Sequence, residues 1–95
     1  MWSNKTMIAI MTVTGLDHTG IIAAVSTKCA ELDVNILNVS QTIMDKYFTM
    51  ILHCEFDDSV RGISDVQNAM KDVEAAEKLE IRVQSEAIFS AMHSI

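Results

Sequence analysis

Apolar residues switch along this chain between a period of two and a spacing of three and four, and each switch marks an element. From Met7 to Thr14, Met7, Ala9, Met11 and Val13 share one face and Ile8, Ile10, Thr12 and Thr14 the other. Both faces are fairly apolar, which predicts a central strand, ended by the turn Gly15-Leu16-Asp17-His18-Thr19-Gly20. From Ile21 the spacing is helical: Ile21, Ile22, Val25, Cys29 and Leu32 form a stripe opposite Thr27, Lys28 and Glu31, and the helix should stop near Asp33. Asn35 to Met44 reads as a second strand, with Leu37, Val39 and Ile43 against a wet face of Asn38, Ser40 and Thr42. Asp45-Lys46 is a tight hairpin turn. Tyr47 to Phe56 has the cleanest alternation in the chain, with Phe48, Met50, Leu52, Cys54 and Phe56 on the face that must be buried. After Asp57-Asp58-Ser59, Ile63, Val66, Met70 and Val73 mark a second amphipathic helix, running to about Lys78. Leu79, Ile81 and Val83 alternate with Glu80, Arg82 and Gln84 in a last strand. The tail from Glu86 to Ile95 returns to helical spacing through Ile88, Phe89, Met92 and Ile95.

The order is β, α, β, β, α, β plus a tail, with neither repeat nor linker. It predicts an α+β protein of the ferredoxin-like βαββαβ kind, one domain over residues 1–95 with its core in 6–85 and an amphipathic tail in 86–95. Right-handed crossovers place both helices on one face of a four-stranded antiparallel sheet. The other face then lacks cover from within the chain, and Ile8, Ile10 and Ile51, or their alternates along the strands, would form an apolar patch there. A chain of 95 residues buries only about 60–65% of its unfolded surface, so a homodimer would add stability that the single copy lacks.

Composition narrows the function. The net charge of −6, with arginine only at Arg61 and Arg82, excludes a nucleic-acid surface, which needs clustered cations. The apolar run of the first strand is too short to span a bilayer, so a cytoplasmic protein is expected. Cys29 and Cys54 each fall on an apolar face and read as buried free thiols in a reducing compartment. Met7, Met11, Met44, Met50, Met70 and Met92 occupy periodic apolar positions suited to core or dimer packing.

The loop Gly15-Leu16-Asp17-His18-Thr19-Gly20-Ile21-Ile22, with Leu32-Asp33-Val34-Asn35-Ile36 after it, resembles the signature of ACT domains. There a G-x-D-x-x-G-I turn opens the first helix and an N-I pair opens the second strand. Val39-Ser40-Gln41-Thr42-Ile43-Met44-Asp45, Tyr47-Phe48-Thr49-Met50 and Ala87-Ile88-Phe89-Ser90-Ala91-Met92-His93 are similar to the small stand-alone ACT proteins of the UPF0237 type. The resemblance implies a regulatory module that pairs with a second copy, side by side or face to face, and binds an amino acid at the interface. It points to Asp17, Gly20, Ile21 and Asn35 as ligand contacts, and His18, exposed by position in the same loop, and Ile36, beside Asn35, are taken as candidates with them. Gly15 stands where some serine-binding members carry a polar side chain, and Lys46 where relatives tend to place glycine.

The chemistry of these residue types fits a zwitterion. Asp17 can take an ammonium group, and the free amides around Gly20 to Ala23 point toward an anion, with glycine at 20 allowing close approach. Asn35 offers a donor and an acceptor. Each has a structural reading beside this: Asp17 as an N-cap, Gly20 as a turn residue, Asn35 as a turn holder and His18 as a solvated side chain. His53 and Cys54 are adjacent on a strand and point to opposite faces, and His93 has no suitable partner at helical spacing, so no metal site is expected. The acidic surplus, Asp57, Asp58, Asp65, Asp72, Glu74 and Glu77, follows solvated surfaces. No nucleophile-and-base pair, cofactor motif or arginine anion clamp stands out, and the protein is not expected to be an enzyme. Two readings follow. One is an amino-acid-binding regulatory homodimer; the other is a ligand-free interaction module that docks on a protein partner through its sheet face and C-terminal helix.

Overall fold

The computed structural model describes residues 5–92, so the expectations for His93 and Ile95 lie outside it. Its elements are β1 (Thr6–Leu16), α1 (Ile21–Glu31), β2 (Asn35–Met44), β3 (Tyr47–Asp57), α2 (Ile63–Glu77), β4 (Leu79–Ser85) and α3 (Glu86–Met92). The four strands form one antiparallel sheet in the order β2-β3-β1-β4. This is the expected ferredoxin-like arrangement with a short C-terminal helix.

Sequence period decides which face is buried. Met11 and Val13 of β1, Phe48, Met50, Leu52 and Cys54 of β3 and Ile81 and Val83 of β4 point to the same side of the sheet. Val25 and Cys29 of α1 and Val66, Met70 and Val73 of α2 close over them, giving one core. Truncating a side chain such as Leu52, 2% exposed, would remove about 2–5 kcal/mol. The two expected free thiols meet inside this core. The neighbouring Cys29 sulfur, together with burial, pushes the Cys54 thiol far above the ordinary thiol range. Three methionines, Met11, Met50 and Met70, are fully buried, whereas Met44 and Met92 are largely exposed.

The structure differs from the sequence reading in three places. β1 runs two residues beyond the expected end, because Gly15 pairs with Phe48 and Leu79 and Leu16 with Tyr47. An added Cβ at Gly15 would lie 2.8 Å from Leu79 Cδ2, so a residue read as turn punctuation is a close strand crossing. β2 carries a bulge between Ile36 and Asn38. The bulge sets Leu37 outside the alternation, so Ile36, Val39, Gln41 and Ile43 face the helices although their numbers change parity. Finally, the sheet face opposite α1 and α2 is partly covered from within the chain. α3 turns back onto it, with Glu86 bonded to His53 at 2.7 Å and Gln84 donating to Met92 Sδ at 3.4 Å. Ile8 and Ile10 are half-buried there, and Ile51 is 42% exposed.

The two sheet edges are unlike. Side chains of α2 occupy the outward backbone groups of β4: the Ile81 amide donates to Glu74 Oε2 at 2.7 Å, and Gln67 Nε2 donates to the Val83 carbonyl at 2.8 Å. β2, by contrast, is exposed over nine of its ten residues and contains neither a charge nor a proline. Such an edge lacks the features that discourage strand pairing. Among the described residues no helix is long and apolar enough to cross a membrane.

Candidate functional site

The loop between β1 and α1 is fixed at both ends by backbone. The Asp17 amide donates to the Lys46 carbonyl at 2.8 Å, which ties the loop to the β2–β3 turn. Gly20 has φ 97°, in the left-handed region that favours glycine, and its carbonyl accepts from Ala24 to begin α1. No side chain caps this helix, and its first turn holds no acidic residue. Asp17 is therefore not the N-cap, and its carboxylate is exposed beside the helix N-terminus.

The loop separates two hollows. One, of about 400 Å³, is lined by Asp17 to Ala23 together with Gln41, Ile43 and Phe48. It joins a carboxylate, the N-terminal amides of α1 and an apolar wall formed by Ile22 and Ile43. The other, of about 530 Å³, lies between Leu16, Asp17, His18 and the end of α2 at Ala76, Glu77 and Lys78.

His18 stands between the loop and α2. Its Nδ1 lies 3.1 Å from the Thr19 carbonyl oxygen and its Nε2 lies 3.0 Å from that of Glu77, with the Glu77 carboxylate 3.7 Å from Nδ1. The Thr19 carbonyl first, then the Glu77 carbonyl, raise its pKa above the ordinary value.

Of the residues expected to contact a ligand, Asp17, His18, Gly20 and Ile21 come together at this end of the sheet. Asn35 and Ile36 do not join them within one chain. They open β2 at its far end, roughly 30 Å away at the usual rise of an extended strand. Asn35 is exposed and donates through Nδ2 to Glu55 Oε1, its cross-strand neighbour, at 3.3 Å. Ile36 turns inward opposite Cys54. Thr19, Gln41, Ile43 and Glu77 also border the loop, though the sequence reading did not select them. The alternation of β2 could have found Gln41 and Ile43, whereas Glu77 is 59 residues from His18 and carries no local signal. Among the described residues no group of three or more His, Cys, Asp or Glu side chains is placed to hold a metal ion.

A family model described as the ACT domain matches residues 7–84, which takes in all of the βαββαβ framework but the first residue of β1 and the last of β4. The chain belongs to the ACT domain family. Within it, a UPF0237 protein of Corynebacterium efficiens is 68% identical over 89 residues, covering 94% of this chain and all of the relative. Among solved structures, an ACT domain protein from Streptococcus pneumoniae superposes with a TM-score of 0.75 at 41% identity, covering 87% of this chain and 93% of that one. A putative glycine cleavage system transcriptional repressor superposes equally well, TM-score 0.75, over 84% of this chain and 46% of its own at 20% identity, a likeness of fold alone. This ACT domain therefore belongs with small proteins of about its own length, and its β1–α1 loop lies within the matched region.

Proposed function

We propose that this ACT domain is a regulatory, non-enzymatic module that binds an amino acid as a homodimer in the cytoplasm. The observation that carries the reading is the 400 Å³ hollow beside Asp17 and the uncapped start of α1. A free amino acid presents an ammonium, a carboxylate and a side chain. Asp17 supplies the acceptor for the first, the amides of Gly20 to Ala23 supply donors and a favourable dipole for the second, and Ile22 and Ile43 receive the third.

The two copies join through β2. Its uncharged, exposed edge contrasts with β4, whose outward groups are already taken by Glu74 and Gln67. Antiparallel pairing of β2 with its symmetry mate sets the start of one strand beside the end of the other. Asn35 of the partner subunit then comes next to the loop at Asp17, and Asn35 here next to the partner's loop. A residue at the other end of β2 from the hollow within one chain thus borders it in the dimer.

One test is thermal. A ligand at 100 times its Kd adds about 2.7 kcal/mol, which for a domain this size raises Tm by roughly 10 °C or more. A screen of the twenty common amino acids should yield at least one such shift, abolished by Asp17→Ala. No shift with any of them, while the dimer stays intact, would contradict the reading. The exposed Ile88 and Met92 of α3 favour a second reading, docking on a protein partner without a ligand. In that case Ile88→Ser with Met92→Ser would abolish complex formation and Asp17→Ala would leave it unchanged.

A further inference from the structure

The ring of His18 faces a carbonyl oxygen from each of its nitrogens, and that arrangement suits only one protonation state. A neutral imidazole has a single N–H, so it can donate to Thr19 or to Glu77 and must set a lone pair against the other oxygen. The imidazolium donates to both. Its surroundings favour that cation. The Asp17 carboxylate adjoins it on the loop, and the Glu77 carboxylate and the C-terminal carbonyls of α2 face it from the other side. Lys78 is the one cation lining the adjoining hollow. Neither Leu16 of β1 nor the first turn of α1, Ile21-Ile22-Ala23, brings a charge. The last turn of α2 has no basic residue, and the His18 ring joins Lys78, at the C-cap, as a positive group near the helix C-terminus.

We infer that His18 is a positioning residue: its protonated ring bridges the β1–α1 loop to the last turn of α2 with both nitrogens donating, and loss of the proton takes away one of those two bonds and loosens the loop and the hollow it walls. Both ring nitrogens are occupied in this arrangement, and the ring meets the hollow as part of its wall. Its consequence for binding rests on the amino-acid reading above; the latch itself does not. The folded pKa is raised above the ordinary 6.5, so the two-bond tie is complete below 6.5 and gives up one of its bonds as pH rises through the folded value. The site is therefore held on the acid side of that transition and loosened on the alkaline side.

Nuclear magnetic resonance of the full chain without ligand tests this from pH 5.5 to 8.5. The His18 ring should titrate with a midpoint above 6.5, and the amides of Thr19 to Ile22 and of Lys78 should shift with the same midpoint. His18→Gln should abolish the titration of those amides while the signals of β3 stay in place. Glu77→Gln keeps the carbonyl but removes the carboxylate and should lower the His18 midpoint, and it carries the test if His18→Gln does not fold. A midpoint at or below 6.5, or loop amides that stay still while His18 titrates, would overturn the latch. Neither result depends on whether an amino acid raises Tm, so the latch and the ligand reading fail separately.

Discussion

Gly20 shows how a single residue serves both the backbone and the site. Its φ of 97° turns the chain from the loop into α1, and no atom lies within 4 Å of the place a Cβ would occupy. Gly20→Ala is therefore opposed by backbone strain and not by a clash, and it should cost about 1–2 kcal/mol, a fall in Tm of roughly 5–15 °C by scanning calorimetry. An unchanged Tm would mean that the loop relaxes freely. The sequence made this position legible, because glycine before an apolar helical stripe is a recognisable signal. It could not decide between Asp17 as a cap and Asp17 as an open acceptor, since both uses place an aspartate just ahead of a helix. His18 was equally open: its second hydrogen-bond partner comes from α2, and nothing local to residue 18 announces Glu77.

At the level of elements, the periodic pattern gave the right strands and helices because one face of each is buried. Where burial weakens, the pattern misleads. β2 is an edge strand, and its bulge at Leu37 exchanges odd and even positions without leaving any mark in composition. The α3 tail was legible as an amphipathic helix, but not its destination, because the Glu86–His53 and Gln84–Met92 contacts join residues from different elements. The protected edge at β4 makes a prediction of its own. Glu74→Ala removes the carboxylate that accepts from the half-buried Ile81 amide and should lower stability by about 1–2 kcal/mol in urea unfolding. Glu74→Gln retains an acceptor oxygen and should lie close to the parent. Equal losses in the two variants would assign the effect to charge and not to the edge hydrogen bond.

For the whole molecule, the difference between the two edges organises the account. α2 closes β4 with its own side chains and leaves β2 open, and β2 is the strand whose two ends carry Asn35 and the border of the loop hollow. Membership of the ACT domain family gives the frame, and the open edge supplies a way for the separated residues to act together. The most direct measurement is the amide spectrum of the ¹⁵N-labelled protein as each amino acid that raises Tm is added. The account predicts saturable shifts at Gly20 to Ala23 and, with the same Kd, at Asn35, two places some 30 Å apart in one chain. Shifts confined to the loop would contradict pairing through β2, and shifts that spare the loop would contradict the amino-acid site itself.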